Sequence, residues 1–348
     1  MKIINIQTEI KYIPLKTPFV TALRRVENIE FVRVIITCKN GLVGVGEAPA
    51  TKAITGEGIE EILHSIASII TILHNQIPTN ALELLHEKKD NTDAICLIGH
   101  SAKASLDMAL LSLIAQSENI PLFKYFGANE MIDLQTDVTI SLNSKDVMVE
   151  DAKKASQNGM DILKVKLGSD INHAIEVIQA IAKALPTAKI LVDANQAWDV
   201  TGCLHFIDAM QGYLIELIEQ PVMASDLEGL KTITEYSNIP ILADEAVFNL
   251  EDAKKVIETK SANMINIKLM KCGGVLKAIE ILEYCKSQNI QCMLGSMLEG
   301  PISINIALHL AIAYKDVIKY IDLDSPLLYK EESQELDFNF YGKNITYK

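Results

Sequence analysis

The chain has 348 residues, 49% of them hydrophobic, with 32 Lys and Arg against 45 Asp and Glu and a formal net charge of −13. This length accommodates a barrel of roughly 200 to 250 residues plus a smaller unit. The acidic balance, with no basic run, argues against nucleic acid as a partner, because affinity for a polyanion needs clustered Lys and Arg. No apolar run reaches the ~18 residues of a membrane span, and Ile302–Tyr314 is broken by Asn305 and His309.

The first residues alternate over Lys2–Ile10 and turn polar too early for a secretory leader. Glu30–Thr37 is expected to pair with Leu42–Val45 across a Lys39-Asn40-Gly41 turn. From Gly58 to Gln116 the pattern is helical. Ile59, Ile62, Leu63, Ile66, Ile69 and Ile70 follow helical spacing, and a second helix covers Ala81–Lys88. A third, Ser101–Gln116, starts near a Ser cap and presents Ala104, Met108, Leu111 and Ala115 on one face. Strands followed by helices define an α+β unit.

From about Leu134 strands and helices alternate. The eight expected strands are Asp137–Leu142, Ile162–Leu167, Ile190–Asp193, Ile215–Glu219, Ile241–Asp244, Met264–Lys268, Cys292–Met297 and Tyr320–Asp324. Helices fall between them, as at Ile175–Ala184, Leu250–Glu258 and Lys277–Ser287. Five central strands end in Lys166, Asp193, Glu219, Asp244 and Lys268, at steps of 24 to 27 residues, enough for one strand, one crossover helix and two loops. Eight parallel strands close a barrel, and chemistry is done at their carboxyl ends. Glu335–Tyr347 reads as strand again and is expected to return to the first unit. Cys38, Cys96, Cys203, Cys272, Cys285 and Cys292 form no C-x-x-C pair, so they read as reduced core thiols of a cytoplasmic protein.

Side chains alternate along a strand. Leu163, Val165 and Leu167 must face the helices, which turns Lys164 and Lys166 into the barrel. The same count turns inward Asp193 and Asn195, then Ile215, Leu217 and Glu219, then Asp244, then Asn266 and Lys268, and finally Asp322 and Asp324. Glu216 falls on the helix side without an evident reason. A single inward Lys–Asp pair would read as a salt bridge holding the barrel closed. Three carboxylates on adjacent strands repel one another unless a cation lies between them, and an all-oxygen donor set suits Mg²⁺. Asp193, Glu219 and Asp244 are the expected ligands. Lys166 and Lys268 then lie on either side of the metal-bearing strands, one for each face of a substrate α-carbon.

At these residues the chain resembles the enolase superfamily, in its muconate-lactonizing subgroup, over nearly its whole length. Lys164-Val-Lys166 is similar to the family's Lys-x-Lys, Asp193, Glu219 and Asp244 to its metal ligands, and Lys268 to its second catalytic lysine. Asp322-Leu-Asp324 resembles the Asp-x-Asp with which the dipeptide epimerases of the subgroup bind an α-ammonium. The resemblance implies an α/β fold: a TIM-like (β/α)7β barrel over residues 126–330 and an α+β capping domain over 1–125, completed by 331–348. It implies Mg²⁺-dependent inversion of the C-terminal residue of a dipeptide, with L-Ala-D/L-Glu from murein peptides as the substrate to expect and other L-Ala-Xaa dipeptides open. Lys166 and Lys268 would be the catalytic pair and Lys164 would stabilise charge on the substrate carboxylate. Arg24 would meet a glutamate side chain. Thr139, Ser296 and Leu298 would contact substrate, and the loop running from Glu47–Thr51 to Thr55–Glu57 would close over it. Other activities of the subgroup are the alternatives: N-succinylamino acid racemisation, o-succinylbenzoate synthesis or muconate cycloisomerisation. A non-catalytic metal-binding scaffold is the alternative of another class. A homo-oligomer is left open.

Overall fold

The computed structural model describes residues 1–86 and 97–348. The end of the expected Ala81–Lys88 helix and Cys96 lie outside the described residues. The chain opens with an antiparallel three-stranded sheet, β1 (Ile3–Val20), β2 (Arg25–Cys38) and β3 (Val43–Pro49), in that order. The β2–β3 turn is tight, with Gly41 at φ 88°. A short α1 (Lys52–Thr55), α2 (Ile59–Leu73), α3 (Pro78–His86), α4 (His100–Glu118) and a short α5 (Leu122–Tyr125) follow. The amphipathic α2 buries Ile62, Ile66, Ile69 and Leu73. Apolar or small residues surround α4, which is buried on nearly every side between the sheet and the barrel.

After β4 (Leu134–Gln135) the chain alternates: β5 (Val138–Ile140), α6 (Lys145–Gln157), β6 (Ile162–Lys166), α7 (Ile171–Ala184), β7 (Lys189–Asp193), α8 (Val200–Ala209), β8 (Ile215–Glu219), α9 (Leu227–Tyr236), β9 (Ile241–Ala243), α10 (Leu250–Glu258), β10 (Met264–Lys268), α11 (Leu269–Cys272), α12 (Val275–Ser287), β11 (Cys292–Gly295), α13 (Pro301–Ala313) and β12 (Ile318–Asp322). These eight parallel strands, β5 to β12, lie side by side in sequence order. Strand one meets strand eight through isolated contacts rather than a ladder: Asp137 N–H donates to Ile321 O at 3.1 Å, and Leu323 N–H to Thr136 Oγ1 at 3.2 Å. Leu191, Leu217, Leu242, Met264, Met293 and Tyr320 fill the interior beneath the mouth. Asp170, Asp199, Asp226 and Asn249 each cap the helix that leaves the mouth, accepting backbone N–H groups.

The alternation count fails at one place. Ile190 pairs with Ile215 but Leu191 with Leu217, a bulge that inserts one residue into β8. Ile215, expected to face inward, therefore packs in the outer core with the helices. Glu216 accepts a hydrogen bond from the Tyr320 hydroxyl at 2.5 Å, which accounts for its place. Beyond the bulge Leu217 and Glu219 resume the inward phase.

A last helix turn, α14 (Ser325–Leu328), leads to the hairpin β13 (Phe338–Tyr341) and β14 (Asn344–Tyr347). The sequence reading returns this segment to the first unit. In the structure β14 pairs with β4, just before the first barrel strand, and Phe338 and Tyr347 pack around His309 of α13. Its tie to the first sheet is Glu335, 2.7 Å from the Arg33 guanidinium.

Two carboxylates of the first unit terminate helices. Glu57 accepts the N–H groups of Ser101 and Ala102 at 2.7 and 3.1 Å, at the start of α4. Glu47 crosses to the barrel and accepts those of Ile302 and Ser303 at 2.9 and 3.2 Å, at the start of α13. Each satisfies orphan donors where the helix dipole favours negative charge. Each caps a helix preceded by glycine, because a Cβ at Gly99 would lie 2.1 Å from Glu57 Oε1 and one at Gly300 2.5 Å from Glu47 Oε2.

Candidate active site

The carboxyl ends of the barrel strands place Thr139, Lys166, Asp244, Lys268, Ser296, Leu298, Asp322 and Asp324 around one cavity, and the β1–β2 turn adds Arg24 from above. Lys164, Asp193 and Glu219 lie just beneath its floor and are fully buried. The structure thus brings together the expected lysines, carboxylates and substrate-contacting residues of the barrel, and Arg24. Of the covering loops, Ile54 lines the cavity, while Glu47 and Glu57 turn away to cap helices. Trp198 packs against Phe206 and donates to Gly168 O at 2.9 Å, outside the cavity lining.

The charges interlock. Lys166 Nζ lies 2.5 Å from Asp193 Oδ2, and Lys268 Nζ 2.6 Å from Asp244 Oδ2. Lys164 Nζ bridges Glu219 Oε2 at 2.7 Å and Asp322 Oδ2 at 2.6 Å, with Asp193 at 3.4 Å. Burial works against the Asp244 anion, but Lys268 and then Lys271 outweigh it and hold the carboxyl below its usual range. Burial likewise opposes the Lys268 ammonium, yet Asp244, joined by Glu219 and Asp322, keeps it protonated above the ordinary lysine range. Burial, reinforced by Asp193, pushes Glu219 up to about 7. Burial, with Asp244 next, pushes Glu245 up to about 8.

Oxygen atoms remain over. Glu219 Oε2, Asp244 Oδ1 and Glu245 Oε2 are buried without a hydrogen-bond donor. The first two lie within ion-pair range of Lys164 and Lys271, at 2.7 and 2.5 Å, but without hydrogen-bonding geometry. Buried polar atoms are rarely left so. Surplus carboxylate oxygens at the ends of two neighbouring strands, with Asp193 at the end of the next, are the donor set of a hard divalent cation, so the residues present fit Mg²⁺. Asp193, Glu219 and Asp244 do not form the tightest acidic group among the described residues. That group is Asp137, Asp322 and Asp324, one oxygen of each lying within 4.8 Å of the others.

Several residues of the site were given no role by the sequence reading. Gln220, at φ 36°, accepts the N–H groups of Asp244 and Ala246 at 2.9 and 3.1 Å and so fixes the end of β9. Strained backbone there and at Asn195 (φ 43°) and Gln196 (φ 67°) marks the turns just past Asp193 and Glu219. Lys271 is buried against Asp244 and donates to Asn266 O at 3.0 Å. Asn266 donates to Glu219 Oε1 at 2.8 Å. Asp137 shares the inward face of strand one with Thr139, a phase that the alternation rule would have supplied.

A barrel with paired lysines opposite carboxylates, under an α+β cap, defines a class. The description "Mandelate racemase / muconate lactonizing enzyme, N-terminal domain" matches residues 3–127, and "Enolase C-terminal domain-like" matches residues 147–344. The chain belongs to this mandelate racemase/muconate lactonizing family of the enolase superfamily. Among its relatives, the L-amino acid-D/L-Glu epimerase of Sulfurimonas denitrificans is 61% identical over 345 residues, 99% of each chain. The substrate-liganded L-Ala-D/L-Glu epimerase of Bacillus subtilis superposes with a TM-score of 0.92 at 38% identity, covering 100% of this chain and 97% of that one. The dipeptide epimerase of Enterococcus faecalis V583, complexed with Mg and L-Leu-L-Tyr, gives 0.92 at 34% identity, over 100% and 98% of the two chains. No described helix is long and apolar enough to cross a membrane.

Proposed function

We propose that the chain is a Mg²⁺-dependent dipeptide epimerase that inverts the α-carbon of the C-terminal residue, with L-Ala-L-Glu and L-Ala-D-Glu as its substrate pair. The observation that carries this reading is one cavity holding two lysines on opposite strands, an aspartate pair and an unpaired arginine. Among the described residues no acid meets the Arg24 guanidinium, and burial lowers its pKa. A partly buried cation without a partner suits the side-chain carboxylate of a C-terminal glutamate. Asp322 and Asp324 offer the anionic counterpart for an amino terminus. The 61% relative, named for a range of L-amino acids before Glu, supports breadth at the first residue.

Asp193, Glu219 and Asp244 would hold Mg²⁺. Bound there, it supplies positive charge that stabilises the substrate carboxylate oxygens as the α-proton leaves. Lys164, buried beneath them, adds its ammonium to the same charge. One of Lys166 and Lys268 removes the α-proton, and the other returns a proton to the opposite face, with roles exchanged for the other epimer. A lysine acts as base only when neutral, so Lys268 must first be released from the Asp244 carboxylate that holds it protonated. Thr139, Ser296 and Leu298 line the cavity and orient the peptide. Residues 1–125 form the cap and 126–330 the barrel in this reading. Buried, unpaired thiols at Cys38, Cys203, Cys272, Cys285 and Cys292 support a cytoplasmic setting.

The test is incubation with Mg²⁺ and L-Ala-L-Glu in D₂O. Both epimers should acquire deuterium at the glutamate α-carbon and converge on one mixture. Retention of the α-proton in every L-Xaa-L-Glu and L-Xaa-D-Glu dipeptide would refute the assignment.

A further inference from the structure

The acidic group at the barrel seam holds more carboxylates than its surroundings can charge. Asp137 is 1% exposed and both of its oxygens lack a donor. The Asp322 carboxylate lies within hydrogen-bonding reach of it. Asp324 is the third member, held by the Thr139 N–H at 2.7 Å. Among the described residues one cation, Lys164, makes an ion pair with the group, at 2.6 Å from Asp322 Oδ2, and that ammonium also serves Glu219, while Lys166 and Lys268 act on Asp322 more weakly. Two carboxylates in contact without a donor between them hold together only if they share a proton.

We infer that Asp137 carries that proton and donates it to Asp322, so that Asp137 is a positioning residue for the clamp on the substrate's ammonium group. The inference rests on the dipeptide reading. The environment agrees: burial first, and Asp322 next, raise the Asp137 carboxyl well above its usual range. Burial opposes the Asp322 anion, but Lys164, with Lys166 and Lys268 behind it, outweighs burial and leaves Asp322 ionised. The proton thus belongs on Asp137, which is farther from the lysine's hydrogen bond. Protonated, it removes one negative charge from the seam and turns Asp322 to present its charge to Lys164 and to the ligand. Full ionisation of all three would draw a second metal ion or spread them apart.

The experiment compares wild type, D137N and D137A, each loaded with Mg²⁺. The Asn amide is neutral and keeps a donor toward Asp322. D137N should hold kcat and KM for L-Ala-L-Glu within about threefold, while D137A should raise KM about tenfold with a smaller change in kcat. On an analogue with a hydroxyl in place of the α-amine, the D137A penalty should vanish. Infrared difference spectra of ligand-free wild type and D137N should show loss of a protonated-carboxyl stretch. D137N as impaired as D137A, a D137A penalty equal on both substrates, loss of a Mg²⁺ ion from D137N, or absence of that stretch would each overturn the inference. Should wild type exchange no dipeptide, the proposed function falls by itself, and the infrared comparison still decides where the proton lies.

Discussion

Lys268 Nζ lies 2.6 Å from Asp244 Oδ2, so a proposed catalytic amine and a proposed metal ligand are each other's partner. Lys271 reaches the other oxygen of the same carboxylate at 2.5 Å. Asp244→Asn therefore leaves two buried ammonium groups facing a neutral amide. Stripping one side of a buried ion pair costs about 3–5 kcal/mol. Chemical denaturation should register a loss of that order, and calorimetry should find Mg²⁺ binding abolished. Unchanged stability together with unchanged metal affinity would remove Asp244 from both roles.

The two lysines are separable by stereochemistry. Lys166 leaves from β6 and Lys268 from β10, with the three acid-bearing strands β7, β8 and β9 between them. Lys166→Ala and Lys268→Ala should each suppress α-deuterium incorporation by ~10²–10⁴-fold, from opposite epimers of L-Ala-Glu. Mass spectrometry of the two pure epimers in D₂O reads this directly. Equal residual exchange from both epimers in both variants contradicts the two-base scheme.

In the proposed function the aspartate pair holds the amino end of the substrate. Replacing Asp322 and Asp324 with Asn removes two charge-assisted contacts worth roughly 1.5–3 kcal/mol each. kcat/KM for L-Ala-L-Glu should fall by about 10²–10⁴. Because Asp322 also meets Lys164 at 2.6 Å, a melting curve must accompany the kinetics. A retained rate on the dipeptide would favour a substrate without an ammonium group, such as an N-succinylamino acid.

In the proposed function Arg24 sets the preference for an acidic second residue. Arg24→Met should lower kcat/KM for L-Ala-L-Glu about a hundredfold, the worth of a charge-assisted pair, and leave L-Ala-L-Leu within a few-fold. A panel of L-Ala-Xaa peptides assayed in one mixture gives the ratio. An equal fall on both peptides would make Arg24 a general loop anchor.

His309 makes the fold acid-sensitive. Its ring is buried against Phe123 and Phe338, its Nδ1 has no partner, and burial lowers its pKa to about 4 from an ordinary 6.5. The folded state thus favours the neutral ring. The contribution is complete above the unfolded pKa of about 6.5 and is lost as pH falls toward about 4. At 1.36 kcal/mol per unit the loss approaches roughly 3 kcal/mol. Urea melts at pH 7.5 and 4.5 should show His309→Phe losing less stability than wild type by about that amount. Parallel losses would place the acid sensitivity elsewhere.

Much of this arrangement was legible in the residues, because a parallel barrel forces each strand to be apolar toward the helices. The charges that break the pattern, Lys164, Lys166, Asp193, Glu219, Asp244 and Lys268, must then point to the mouth. Where the pattern misled, a physical cause is visible. The bulge in β8 shifts the phase at Ile215 and Glu216, and its one trace in the sequence is a charged Glu216 on the face expected to meet the helices. Lys271 lies on a short helix after β10, where strand alternation no longer applies. The partners of the C-terminal hairpin depend on contacts across more than 200 residues, as between Asn344 and Gln135, which local patterning does not encode.

The two glutamates that terminate α4 and α13 bear on how this scaffold can be re-engineered. Arg24 and Ile54 reach the cavity from the same unit whose Glu47 is sunk into the start of a barrel helix. The lid is keyed to its barrel by this tenon. A chimera that transplants residues 1–125 from a relative should therefore carry its mortise too, the glycine and the free amides at 300–303, or its new substrate-reading side chains will arrive out of register with the lysines below.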